Sequence, residues 1–290
     1  MRSRLLGVLT GAVLAAAPVG VSASTIIDLT TAGSSNGAGT AAAIGGTFLV
    51  QQIDPQSTGT GVIDSFLRVQ SNGAERGYNT DIGTPLDDKG GVFTRSLLLS
   101  EVPNVVIGGV DYYQFLLDIN QVDSGTNNLL SLSQIQIFQA ANDQLHTSLT
   151  EATDPAGPNN GTSALIGFAS ATEIFRMSST GVNAFTSIEL NYSLNPGSGA
   201  GDMFLYVRRD SFSADASLDQ VILFSQFGVP NGTASTNDGF EEWAVLKAND
   251  QPCIGCDITE VPEPGTIFLL GSGLSLAAAR LRRRRGAGVQ

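Results

Sequence analysis

Asp118, Asn120 and Asp123 crowd three oxygen-bearing side chains into six residues, just ahead of Ser124-Gly125. A hard cation such as calcium takes several oxygen ligands, and a cluster of this kind at the end of a strand can supply them. The spacing departs from the EF-hand loop. Asp and Asn also close turns through their own backbone, which places all three without any metal. Two further groups offer the same chemistry: Asp81, Asp87 and Asp88 in one stretch, and Asn237 with Asp238 beside Gly239. The expectation is a structural calcium at Asp118, Asn120 and Asp123, set against a solvated turn that binds nothing.

The catalytic vocabulary is thin. The single histidine, His146, lies in the polar stretch from Asn142 to Ser148, and the chain has neither a nucleophile elbow nor a metalloprotease motif. Acid–base cleavage of a glycosidic bond needs two carboxyls several ångströms apart across a cleft. The doublets Asp87-Asp88 and Glu241-Glu242 do not supply that pair by themselves, because neighbours on a strand point to opposite faces. No enzymatic activity is expected. The two cysteines, Cys253 and Cys256, form a C-x-x-C without the second pair that a closed zinc site needs. In an exported chain this spacing reads as a small disulfide ring that stiffens a linker, with an intermolecular bridge as the rival reading.

At the C-terminal end, Val261, Pro262, Glu263 and Pro264 precede an apolar run, Thr266 to Ala279, and then Arg280, Arg282, Arg283, Arg284 and Arg285. The uncharged segment is short against the roughly 20 residues that comfortably cross a bilayer. Arginines beside a membrane segment favour the cytoplasmic side, which leaves the Pro-Glu-Pro motif outside. The two prolines fix their own backbone angles and bias the preceding residues to extended conformations, so the motif is presented as a strand-like substrate. This order of tripeptide, apolar run and arginine cluster resembles the PEP-CTERM sorting signal. The resemblance implies an exported surface protein, anchored by a short transmembrane helix and processed by an exosortase-type transpeptidase. Arg76-Gly77-Tyr78-Asn79-Thr80-Asp81, Asp202 to Val207, Val221 to Gly228 and Asn237 to Trp243 also resemble phrases of one group of PEP-CTERM exported proteins. That group brings no activity to carry over.

The N-terminus agrees with export. Arg2 and Arg4 precede the apolar run Leu5 to Ala17, and Val21-Ser22-Ala23 suits a signal peptidase cutting between Ala23 and Ser24. The expected organisation is a signal peptide over 1–23, an exported domain over 24–250, a linker with the cysteines over 251–260 and the sorting signal over 261–285. With the terminal arginines and Glu263 set aside, eight basic residues face 26 acidic ones, a net charge of −18. Such a surface repels nucleic acid and anionic membranes and stays soluble.

The elements that must position these groups are short strands. Thr25 to Leu29, Thr47 to Ile53 and Val62 to Val69 read as strands, and Gly33 to Gly46 as a loop. Turn formers dominate Ser71 to Gly91, predicting a long surface excursion. In Asp111 to Asn120 the residues Tyr113, Phe115, Leu117 and Ile119 alternate with Tyr112, Gln114, Asp118 and Asn120, the pattern of a half-buried strand that pairs as a hairpin with Leu129 to Gln139. Six more strands follow: Ala164 to Phe168, Glu173 to Met177, Phe185 to Leu194, Met203 to Arg208, Gln220 to Phe227 and Phe240 to Leu246. Sustained helical periodicity is absent from the exported region. The fold class is therefore all-β, an antiparallel β-sandwich or jelly roll.

Two functions fit: a structural component of the cell surface or of a biofilm-type extracellular matrix, or a carbohydrate-binding module that takes exopolysaccharide. A sugar platform needs exposed aromatic rings. Tyr78 in the predicted loop and Tyr112 on the polar face are the candidates for exposure, whereas Trp243 in a strand reads as core. The structural role is the first expectation, with an exosortase-type enzyme and signal peptidase as partners.

Overall fold

Among the described residues, alternating apolar residues bounded by Gly, Asn and Asp produce sixteen strands: β1 (Thr25–Asp28), β2 (Thr40–Ala41), β3 (Thr47–Gln52), β4 (Ile63–Val69), β5 (Asn72–Tyr78), β6 (Asn104–Ile107), β7 (Val110–Asp118), β8 (Leu129–Ala140), β9 (Leu149–Thr153), β10 (Ser163–Phe168), β11 (Ala171–Arg176), β12 (Thr186–Asn191), β13 (Met203–Arg208), β14 (Gln220–Gly228), β15 (Thr236–Asn237) and β16 (Glu241–Leu246). The structure is a computed structural model that describes residues 24–54, 63–125, 127–153, 163–179, 185–199, 201–228, 234–237 and 239–247. All of these fall in one unit, Met1–Pro252.

Two sheets face each other. The first runs β1-β12-β8-β14-β5-β15 with β11 also on β8, and the second runs β2-β3-β13-β7-β16-β4 with β6 also on β7. Each is built on one long central strand. The twelve residues of β8 pair along one edge with β14, while β11 and β12 share the other edge. The nine residues of β7 pair with β13 on one edge and are shared by β6 and β16 on the other. All pairs are antiparallel except β1 with β12. The fold is thus the all-β sandwich expected from the strand pattern.

Between the sheets lies the main core. Phe115, Leu117 and Ile119 of the β7 segment, Leu205 and Val207 of β13, and Trp243 and Val245 of β16 meet Leu132, Ile135 and Ile137 of β8 and Val221 and Leu223 of β14. Trp243 is fully buried here, as the strand pattern predicted. The outer face of the first sheet is covered by the β9–β10 hairpin. Ile166 and Phe168 of that hairpin pack on Tyr78, Phe138 and Phe224, and Gln136 extends the ladder by donating to Ile166 O at 3.1 Å and accepting from Ile166 N at 2.9 Å. On the outer face of the second sheet, Tyr112, Leu116, Phe204, Tyr206, Ala244 and Leu246 form a separate buried cluster.

Four expectations change. The segments at 110–118 and 129–140 do not pair as a hairpin, because β7 and β8 are the centres of opposite sheets. Nor is β7 half-buried: Tyr112, Gln114, Leu116 and Asp118 on its other face are buried as well. The predicted excursion after Ser71 contains β5, and Gly77 explains why. A Cβ there would lie 2.5 Å from Val69 Cγ1 and 3.2 Å from Asp88 Cβ, so only glycine lets β5 close against this corner of the sandwich. The expected loop at 33–46 also contributes the two-residue strand β2.

Candidate functional site

At the open end of β7 the second sheet gathers carboxylates. Register pairs Asp118 of β7 with Glu242 of β16. Asp202, just ahead of β13, donates its N–H to Leu117 O at 2.8 Å and accepts from Ile119 N at 2.8 Å. Asp118 accepts from Gly199 N at 2.6 Å and Gly201 N at 3.3 Å. Burial pushes the Asp202 carboxyl well above the usual range, the Ile119 N–H pulls it back, and the neighbouring Asp118 charge adds to the rise. Asp202 Oδ1 is buried without a hydrogen-bond partner. Glu242 has its own partners. It accepts from Arg68 Nε at 2.6 Å and from the Ser65 hydroxyl, and the Arg68 guanidinium lies over the rings of Phe93 (3.4 Å) and Phe240 (4.0 Å). A cation held between two rings and a buried carboxylate is a structural clasp.

The expected calcium ligands Asp118 and Asp123 have separate hydrogen-bond partners. The buried Asp118 accepts from the backbone of Gly199 and Gly201, whereas the exposed Asp123 accepts from the Ser193 hydroxyl. Among the described residues no group of three or more His, Cys, Asp or Glu is placed to hold a metal ion. Glu241 and Glu242 point to opposite sides, as strand geometry requires: Glu241 accepts from Gln121 Nε2 and Glu242 from Arg68. Asp87 and Asp88 also diverge, since Asp87 accepts from Arg76 N and Asp88 from Leu86 N. Neither doublet forms a cleft pair. His146 opens a short 3-10 turn, His146–Ser148.

Tyr78 and Tyr112 are not sugar platforms, because both are buried. Tyr78 packs edge-on against Phe168 with ring centroids 5.1 Å apart. The phrase around it cross-links the sandwich. Asn79 donates to Val221 O at 3.0 Å and accepts from Leu223 N at 2.6 Å, acting as one further strand residue beside β14. Asp81 accepts from Ser96 N and Oγ, and Thr80 Oγ1 donates to Asp143. Gly, Asn and Asp mark turns by composition alone, so nothing local signalled this tertiary use.

A groove at one end of the sandwich was missed by reading residues in isolation. It encloses about 800 Å³ and is lined by Leu99, the turn at Gly109–Asp111, Tyr113, the connection from Arg208 to Ala216, and Leu218 with Asp219. Gly108 and Gly109 both have positive φ, 59° and 80°, which gives the tight two-residue turn between β6 and β7. Tyr113 and Phe212 meet edge-to-face with centroids 4.6 Å apart. The long connection is held in place by Gln139, which accepts from Ser213 N at 2.6 Å and donates to Leu218 O at 3.0 Å. The cluster Arg208-Arg209-Asp210 followed by Asp215 and Asp219 was the available signal.

The fold defines the class as an all-β sandwich of two antiparallel-rich sheets. Residues 260–285 match the family model of the PEP-CTERM protein-sorting motif. The chain carries that motif, and the motif indicates an extracellular protein delivered to the cell surface by exosortase-type machinery. Comparison with curated proteins and with solved structures returned no match. The expected signal peptide at 1–23, the pair Cys253 and Cys256, the motif Val261, Pro262, Glu263 and Pro264, the apolar run and the five tail arginines lie outside the described residues. Among the described residues no helix is long and apolar enough to cross a membrane.

Proposed function

We propose that the protein is a non-enzymatic structural component of the cell surface or extracellular matrix, whose task is to present a stable acidic β-domain after exosortase sorting. The observation that carries this reading is the use to which the buried acids are put. Asp118 closes on the backbone of Gly199 and Gly201, and Glu242 clasps Arg68. These carboxylates hold strands and loops together. Exposed acids such as Asp123, Asp210, Asp215 and Asp219 give a surface that resists collapse onto anionic neighbours.

The test has two arms. Glu263→Ala should leave a membrane-retained chain that still carries the arginine tail, with less protein at the surface and a mechanically weaker matrix than the parent strain. Normal processing of this variant, or a matrix indifferent to loss of the chain, removes the structural reading. So does polysaccharide cleavage by the purified protein that disappears in Glu242→Gln.

A further inference from the structure

We propose that the groove between Tyr113, Phe212, Arg209 and Asp219 binds a neutral, hydroxyl-rich oligosaccharide. The inference deepens the surface-protein reading by naming a ligand, and rests on it only for where the glycan is met.

The volume suits a ligand of a few rings, at about 800 Å³. Its walls combine two chemistries. Half-buried Tyr113, backed edge-to-face by the buried ring of Phe212, supplies with Leu99, Val110 and Leu218 an apolar and aromatic surface, to which the C–H face of a pyranose can pack. Around it stand two arginines and four aspartates, Asp111, Asp210, Asp215 and Asp219. A sugar hydroxyl both donates and accepts, so it is matched by a wall that alternates guanidinium donors with carboxylate acceptors.

Charge selects among glycans. Asp210 already engages Arg208, with Nε to Oδ1 at 2.9 Å. Asp215 is turned to Ser217, whose N–H and hydroxyl hold its carboxyl below the usual range. The Arg209 side chain has no hydrogen-bond or ion-pair partner among the described residues, and it is exposed. It faces the groove together with Asp219, whose backbone carbonyl holds Leu99 N at 2.8 Å while its side chain stays exposed. One uncommitted cation among carboxylates does not overcome their repulsion for an anionic sugar chain. A neutral one meets no such penalty.

The groove is also preformed. Gln139 fixes the connection from beneath, Ser211 Oγ donates to Gly45 O at 2.8 Å, and Phe212 N donates to Arg209 O at 3.1 Å. Little ordering remains to oppose binding.

The experiment uses the full-length protein in mild detergent on an array of neutral hexose oligosaccharides alongside uronate-containing ones, followed by titration calorimetry with the strongest binder. Binding to a neutral oligosaccharide is expected, weakened about tenfold or more in Arg209→Ala and in Asp219→Ala. Both side chains are exposed, so the melting midpoints of the variants should match the parent. Binding confined to uronate-containing glycans, no binding at all, or a neutral ligand whose affinity survives both substitutions overturns the proposal. Surface delivery is read on cells and glycan binding on purified protein, so failure of either is recognised separately.

Discussion

Glu75 should make the domain lose stability as the solution becomes alkaline, and Glu75→Gln should remove much of that loss. The side chain is 1% exposed at the corner where β5 meets the loop after β4. Its Oε2 accepts from Ser71 N at 2.6 Å, and its Oε1 has no partner. Burial pushes the carboxyl up to about 8, the Ser71 N–H opposes this, the Asp87 charge reinforces it and Lys89 opposes it weakly. The unfolded chain releases the same proton near 4.5. The folded state therefore binds the proton more tightly, so the stabilisation from the protonated group is complete below 4.5 and disappears as pH rises toward 8. That gap corresponds to roughly 5 kcal/mol in all, about 4 kcal/mol of it between pH 5 and pH 8.5. Glutamine keeps the size and the acceptor for Ser71 and cannot ionise. Denaturant unfolding at the two pH values should then show parent and variant within about 1 kcal/mol at pH 5, and the variant ahead by roughly 4 kcal/mol at pH 8.5, or about 10 °C in midpoint. Asp88, raised to about 6 by burial, adds the same sign in both proteins and cancels in the comparison. Equal slopes with pH in parent and variant would refute the reasoning and mean that Glu75 is ionised in the folded state.

Three further outcomes follow from the packing. Gly77→Ala should cost about 1–3 kcal/mol in chemical denaturation, because the new methyl collides with Val69 and Asp88; an unchanged midpoint would show that the corner can open. Arg68→Ala should cost about 3–5 kcal/mol by leaving Glu242 buried and unpaired, and pairing it with Glu242→Gln should recover a large part of that loss; no recovery would place the damage in packing against Phe93 and Phe240. For Cys253 and Cys256, intact mass of the oxidised protein should be two hydrogens lower than after reduction and show no dimer, whereas free thiols on alkylation would remove the ring.

The sequence by itself determined the strands with clear alternation, the all-β class, the core position of Trp243 and the export address at the C-terminal end. Each follows from a local rule: a side-chain period of two, an apolar residue within a strand, or a tripeptide, apolar run and arginine cluster in fixed order. Tertiary structure alone decided which strand meets which. Alternation tells which residues share a face but not which sheet the face belongs to, so β7 and β8 read as a hairpin although ten residues carry the chain from one sheet to the other. The polar side of β7 read as solvated because Gln114 and Asp118 alternate with the core, yet other segments fold back to cover them. Asn72–Tyr78 read as a turn because glycine and asparagine favour turns in isolation. Here the missing side chain of Gly77 is what lets a strand approach Val69, and the amide of Asn79 completes the hydrogen bonding of β14. The groove at Tyr113 and Phe212 likewise joins residues a hundred positions apart, a proximity created by the pairing of β7 with β13 in the second sheet.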